Sequence, residues 1–158
     1  MRIPLLLSTI AIIAQPAVAV DLKIGDTEYS QSCSKGEWRE VDSQLRKVAD
    51  ERSPSNLASL VHTYVCGKGK AAELALLRSA PRLVTQGLSG SGEETTIRLV
   101  ETRESVAPHG GQAWGVSVQN EYPDVAVSFF VNEACGHTAT FRLAGTSWLL
   151  VRVDDGCD

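Results

Sequence analysis

The fold is decided by residues 112–154, which read QAWGVSVQNEYPDVAVSFFVNEACGHTATFRLAGTSWLLVRVD. Apolar and polar residues alternate along most of this stretch, and a period of two is typical of strands with one buried face. Short, turn-like connections around Pro123 and Gly145 interrupt the alternation. Because strands joined by short turns run antiparallel, the stretch predicts consecutive hairpins. The predicted strands are residues 112–120, 124–132, 137–143 and 147–154. The last strand is apolar on both faces, which is typical of a strand that is covered on both sides or lies at a subunit contact.

Toward the N-terminus the apolar period changes to 3.6 residues, which is typical of amphipathic helices. Ser53 and Pro54 have the residue types preferred at a helix start, and Gly67 is a suitable helix stop. The Gly-rich residues 87–92 predict a linker, since they lack the Gly-Lys-Ser/Thr ending of a phosphate-binding loop. The predicted helices are residues 36–50, 53–66 and 70–79, with a further turn at 82–88.

These elements predict an α+β fold in a single globular domain, residues 20–158. Its N-terminal helices, within about residues 35–88, pack on one face of a five-strand antiparallel meander at about 94–154, whose first strand is 95–102. The buried helical face is predicted to contain Trp38, Val41, Leu45, Leu57, Leu60, Val61 and Tyr64. The order of elements resembles cystatin-like or NTF2-like rolls at the level of topology, and this resemblance implies no particular function.

The start of the chain predicts export. Arg2 precedes an apolar run, and Ala17-Val18-Ala19 has the small residues of a signal-peptidase site. Residues 1–19 are therefore a predicted signal peptide, and the mature chain is expected in the bacterial periplasm or outside the cell. No other apolar run reaches spanning length, so no stable membrane anchor is expected after cleavage. The formal net charge of −4 gives no general attraction to nucleic acid.

The four cysteines predict two disulfides in an oxidising compartment. Antiparallel packing of the first two helices brings Cys33, before the first helix, beside Cys66 at the end of the second. The last hairpin, which turns near Gly145, places Cys135 opposite residues 154–155, close to Cys157. The expected bridges are therefore Cys33–Cys66 and Cys135–Cys157, and the second would tie down the C-terminus.

No contiguous motif for catalysis is present, and we assign no catalytic residue, metal or cofactor. The sequence lacks the G-x-S-x-G nucleophile motif, although a Ser/His/acid site assembled only by the fold stays open. His62 lies on the second predicted helix near the edge of its apolar stripe, and a packing role in the core or at the surface is favoured over catalysis. A metal site at Cys135, His137 and an acid is the weaker alternative, since a disulfide would remove the cysteine ligand. The acidic residues 154–158 are interpreted as a solvated tail.

Three functions compete on these grounds. The favoured one is a non-enzymatic periplasmic binding protein of the inhibitor or immunity type, acting on a protein partner. Its expected contacts are an exposed loop, residues 104–111, and aromatic side chains on the outer face of the sheet. The predicted contact residues are His109, Gly110, Gly111, Tyr122, Phe130 and Trp148.

The second function is a small periplasmic hydrolase or ligand-binding roll with a pocket between helices and sheet. The third is an envelope structural or assembly factor. Histidine and acid side chains that converge on a pocket would favour the second function, a protruding loop 104–111 would favour the first, and an apolar sheet face would favour the third.

Overall fold

A computed structural model describes residues 22–24, 27–29, 31–52, 56–88 and 96–157 of the chain. The predicted signal peptide and its cleavage site lie outside these residues, as do Ser53, Pro54 and most of the predicted Gly-rich linker. The helices are α1 (Trp38–Arg52), α2 (Leu57–Cys66), α3 (Gly69–Arg78) and the short α4 (Thr102–Ser105). The strands are β1 (Leu22–Ile24), β2 (Thr27–Tyr29), β3 (Leu83–Leu88), β4 (Thr96–Glu101), β5 (Trp114–Glu121), β6 (Asp124–Asn132), β7 (Cys135–Ala144) and β8 (Ser147–Cys157).

The predicted α+β class is confirmed, but the five-strand antiparallel meander is wrong. Three helices pack against a six-stranded mixed sheet with the order β4-β3-β8-β7-β6-β5. Strands β5 to β8 form the expected antiparallel hairpins. The first predicted strand, now β4, does not extend this meander. It pairs with β3 at the opposite edge, and β3 runs parallel to β8.

The difference comes from residues 83–88, which we predicted to be a helical turn. Val84 in this segment is fully buried and pairs with Val100 of β4. The segment also pairs with β8 on its other side, from Thr85↔Arg152 to Leu88↔Asp155. Backbone pairing on both edges and burial of a β-branched residue outweigh the local helical pattern here. Strand β8 is therefore an interior strand of the sheet, paired with β3 on one edge and with β7 on the other.

The predicted helical stripe is confirmed as the centre of the core. Its seven residues are between 0 and 9% exposed. They lie in one cluster with the largest buried side chains of the sheet, Phe129, Phe141 and Trp148. Asn56, directly before α2, accepts a hydrogen bond from the Trp148 amide at 2.9 Å and so links the helical layer to β8.

Both predicted disulfides are confirmed, Cys33–Cys66 and Cys135–Cys157. Cys135 and Cys157 are direct register partners at the open end of the β7–β8 hairpin. This register depends on a β-bulge: Phe141 pairs with Leu150, whereas Thr140 pairs with Arg152, so Val151 is an extra residue in β8. The bulge moves every later residue of β8 by one position relative to β7.

Among the described residues, no helix combines the length and apolarity needed to cross a membrane.

Candidate functional site

A cavity of about 240 Å³ lies on the helix-facing side of the sheet, between its strands and the segment 106–111. Four strands contribute to it, β4, β3, β8 and β7, together with α2. The lining residues are Tyr64, Gln86, Arg98, Val100, Ala107, His109, His137, Val153 and Asp155.

The strand register brings the polar residues of this cavity to one face. On β7, His137 lies on the same face as the buried Ala139 and Phe141, because alternate residues share a face. On β8, the bulge places Asp155 on the face of the buried Val153. His137 and Asp155 are direct register partners. The side-chain alternation of β7 and that of β8, which the bulge shifts by one residue, therefore both direct polar residues to the cavity.

A hydrogen-bonded chain runs through the site. His137 Nδ1 lies 2.7 Å from Asp155 Oδ1, and Gln86 Nε2 donates to Asp155 Oδ2 at 2.9 Å. Arg98 donates to Gln86 Oε1 through Nε at 3.1 Å and Nη2 at 2.9 Å. Asp155 thus accepts hydrogen bonds on both oxygens, and the chain ends on an imidazole whose side chain is 15% exposed.

The second imidazole, His109, is held by the segment 106–111. Its backbone amide donates to the Tyr64 carbonyl at 3.1 Å, and the next amide, of Gly110, donates to the Gly67 carbonyl at 3.1 Å. The ring centroid of His109 lies 4.7 Å from that of His137 and 4.9 Å from that of Phe129. Its Nε2 atom is buried and has no hydrogen-bond partner within the described part of the chain.

Burial governs the protonation of two groups at the site. It lowers the pKa of His109 to about 4, an effect increased by His137 and partly offset by Asp155. His109 is therefore neutral near pH 7. Burial also raises the pKa of the Tyr64 phenol far above its usual range, and the negative charge of Asp155 adds to this. Tyr64 stays protonated.

This arrangement can accept a proton. An ionised Asp155 needs a hydrogen on His137 Nδ1, which leaves the lone pair of neutral His137 on Nε2. Within the described residues that Nε2 atom makes no hydrogen bond. A carboxylate that orients an imidazole in this way is the usual support of a histidine general base. No group of three His, Cys, Asp or Glu among the described residues is placed to hold a metal ion.

The predicted contact residues do not come together. His109 lines the cavity, and Gly110 and Gly111 beside it help to anchor its segment, with Gly111 accepting a hydrogen bond from Gln31 at 2.6 Å. Tyr122 is 86% exposed at the β5–β6 turn, whereas Trp148 is fully buried. The exposed pair of Phe130 and Trp148 is therefore absent. Contact between the other predicted residues and a partner stays a prediction.

The expected protruding loop is also absent. Within the segment 106–111, Val106 is fully buried and Gly111 is buried. The loop interpretation rested on Pro and Gly content, which does not distinguish a projecting loop from one that closes over a pocket. His62 is exposed, and its ring lies 4.8 Å from that of Trp38.

Sequence reasoning missed three members of the hydrogen-bonded chain, Asp155, Gln86 and Arg98. The prediction of a solvated tail at residues 154–158 is wrong for Asp155, which lies inside β8. The signal that could have identified it is the doubled apolar pattern of Leu149, Leu150 and Val151, which indicates a bulge and a change of face. Gln86 and Arg98 become neighbours only through the β3–β4 pairing, for which the local sequence carried no signal.

The opposite face of the sheet contains a largely polar groove. This groove of about 620 Å³ contains two arginine–aspartate pairs. Arg142 donates to both oxygens of Asp124 at 2.7 Å, and Arg152 donates to Asp154 at 2.7 Å. The guanidinium charges in this groove are thus compensated by neighbouring carboxylates.

No protein-family model and no curated protein matches the sequence. Among solved structures, the chain is similar to an NTF-2 like protein of unknown function from Silicibacter pomeroyi, with 13% identity and a TM-score of 0.39. That match covers 79% of this chain and 99% of the other. The present chain is also similar to a chain named Rd1NTF2_05 with five substitutions, with 16% identity and a TM-score of 0.31. This second match covers 75% of the present chain and 96% of the other. Likenesses of this size establish no shared function.

Proposed function

We propose that this protein is a small general-base enzyme of the hydrolase type, in which His137 accepts a proton from a water or a small polar substrate in the cavity. The observation that carries the proposal is the convergence of His137, Asp155 and His109 on one cavity. Such convergence was the feature expected to favour a pocket function over an inhibitor.

The two histidines suit different roles. Asp155 stabilises the imidazolium that forms when His137 takes up a proton. His109 is neutral and its Nε2 is buried, so it offers a hydrogen-bonding atom without a charge. In this proposal His137 is the base, and His109 orients or polarises the bound substrate.

The test is the hydrolysis of 4-nitrophenyl acetate by the purified protein. His137→Gln should lower kcat/KM by about 100-fold, within the range that a general base contributes. Asp155→Asn should lower it by about tenfold or more, because the amide no longer favours the Nδ1–H tautomer. The matched control is His62→Gln, which removes an exposed histidine that does not line the cavity. Equal rates for the wild type and His137→Gln would overturn the proposal.

Export is part of the same proposal. The predicted signal peptide and the two disulfides support it, because disulfides persist mainly in oxidising compartments. Mass spectrometry of the protein recovered from the periplasm should give a mature N-terminus at Val20. An unprocessed chain retained in the cytoplasm would contradict export.

Binding to a protein partner is the second candidate, favoured by the 86% exposure of Tyr122 at a hairpin turn. Exposed tyrosines are common anchors at protein interfaces. Capture from a periplasmic extract should retain a specific protein with the wild type and lose it with Tyr122→Ser. Identical captures by both proteins would count against this candidate. The groove of arginine–aspartate pairs on the outer face does not favour the third function, an assembly factor with an apolar sheet face.

A further inference from the structure

Arg98 stands at the outer end of the hydrogen-bonded chain and is solvent-exposed. Its register partner is Gln86, which places both residues on the face of the cavity. Both hydrogen bonds of the Arg98 side chain go to one acceptor, the side-chain Oε1 of Gln86. A guanidinium has five N–H donors, so the remaining donors of Arg98 are available at the rim of the cavity.

The charge of Arg98 is not compensated by a carboxylate within the described residues. Arg46, Arg142 and Arg152 each pair with an aspartate at 2.7 Å, whereas Arg98 is one of several described arginines without such a pair. Arg98 instead contacts a neutral amide. Among the described residues that line the cavity, it is the one permanently charged cation.

Gln86 keeps this cation apart from the acid of the site. Its amide accepts from Arg98 and donates to Asp155, so it lies between the two charges. Asp155 is already bound by His137 and Gln86. The arrangement therefore has an available cation at the rim and a satisfied carboxylate next to the imidazole.

The cavity between them is small and partly apolar. Its volume of about 240 Å³ suits a ligand of about ten non-hydrogen atoms. Val100, Ala107 and Val153 supply apolar lining. A ligand that fits has an anionic group near Arg98 and a short, largely apolar body that extends toward His137.

We propose that the cavity binds small monocarboxylates, with the carboxylate held by the guanidinium of Arg98. This inference rests on the proposed function, since it names the ligand class of the same site and the charged group, a carboxylate held at Arg98, by which a substrate would be bound there. A carboxylate is favoured because its two oxygens match the planar, forked donors of a guanidinium.

The experiment compares benzoate with benzamide, which has the same shape and no charge. Binding is followed by NMR through the imidazole resonances of His137 and His109. Benzoate should bind the wild type at least tenfold more tightly than benzamide. Arg98→Gln should weaken benzoate by about tenfold or more, as expected for the loss of a charge-assisted hydrogen bond, and leave benzamide unchanged.

Two further variants control the test. Arg103→Gln removes an exposed arginine of α4 that does not line the cavity, and it should leave benzoate binding unchanged. Arg98→Lys keeps the charge but not the fork and should give an intermediate affinity. Equal affinity for benzoate and benzamide, or no effect of Arg98→Gln, would overturn the inference. Inorganic phosphate that binds as tightly as benzoate would overturn the assignment to carboxylates.

The two proposals fail separately. If His137→Gln abolishes ester hydrolysis but benzoate is not preferred, the carboxylate inference is wrong and the general base stands. If benzoate binds through Arg98 but His137→Gln leaves hydrolysis unchanged, the cavity is a carboxylate-binding site and the enzymatic proposal is wrong.

Discussion

At the scale of the residue, His109 connects the site to the stability of the fold. The folded chain lowers the pKa of this imidazole from 6.5 to about 4, chiefly through burial. The unfolded chain therefore binds a proton between these two pH values that the folded chain does not bind. The neutral His109 of the folded chain therefore contributes to the free energy of unfolding. This contribution is fully present above pH 6.5 and is lost as the pH falls through 4.

We expect the free energy of unfolding of the wild type to fall by about 3 kcal/mol from this source between pH 7 and pH 4. His109→Gln should show a correspondingly smaller fall over the same range. Urea denaturation of both proteins at several pH values measures the difference. An NMR titration that gives His109 an ordinary pKa near 6.5 would contradict the prediction.

At the scale of the element, α2 packs the helical layer against the sheet through its buried residues. Leu60 is 5% exposed within the core, whereas Leu74 of α3 is 46% exposed. Leu60→Ala should lower the free energy of unfolding by about 2–5 kcal/mol, because it removes buried contacts and leaves a cavity. Leu74→Ala, the same change at an exposed site, should cost about 0.5 kcal/mol or less. Chemical denaturation measures both changes in the free energy of unfolding. Equal losses for the two variants would mean that the buried face assigned to α2 is wrong.

Elements with strong periodicity were predictable from sequence. The phases of α1 and α2 follow from one stripe of apolar residues each, and β6 has the predicted bounds, Asp124–Asn132. Strand β3 was not predictable in the same way, because its six residues carry no clear period and its pairing partners lie far away in sequence. The local sequence of β3 carries no signal for the stabilisation that β3 gains by pairing with β4 and β8.

At the scale of the whole molecule, the site was the least predictable part. It combines a residue of α2, two strands before residue 102, the segment 106–111 and two strands near the C-terminus. The sequence contains the two histidines and the acid, but the bulged register of β7 and β8 and the anchoring of the segment 106–111 bring them together. The disulfide pairing was predictable because both bridges close local hairpins.

The two disulfides should differ in their effect on the site. His137 and Asp155 each lie two residues from the cysteines of the Cys135–Cys157 bridge. Replacing both of these cysteines with serine should cost about 3 kcal/mol of stability and weaken the NMR signal of the hydrogen-bonded His137 Nδ1–H. Replacing Cys33 and Cys66 with serine should cost a similar amount and preserve that signal. A His137 Nδ1–H signal of equal strength in the two variants would show that the Cys135–Cys157 bridge does not hold the His137–Asp155 pair.

The bulge at Val151 determines which changes of chain length the protein can tolerate. Removing Val151 takes out the unpaired residue and leaves every partner of the later part of β8 in place, from Thr140↔Arg152 to Cys135↔Cys157. Removing Val153 instead would shift the remainder of the strand and turn Asp155 away from His137. A one-residue deletion should therefore be accepted at one position and rejected two residues later. Non-reduced peptide mapping and ester hydrolysis of the two deletion variants would measure this difference, and loss of both properties on deletion of Val151 would contradict it.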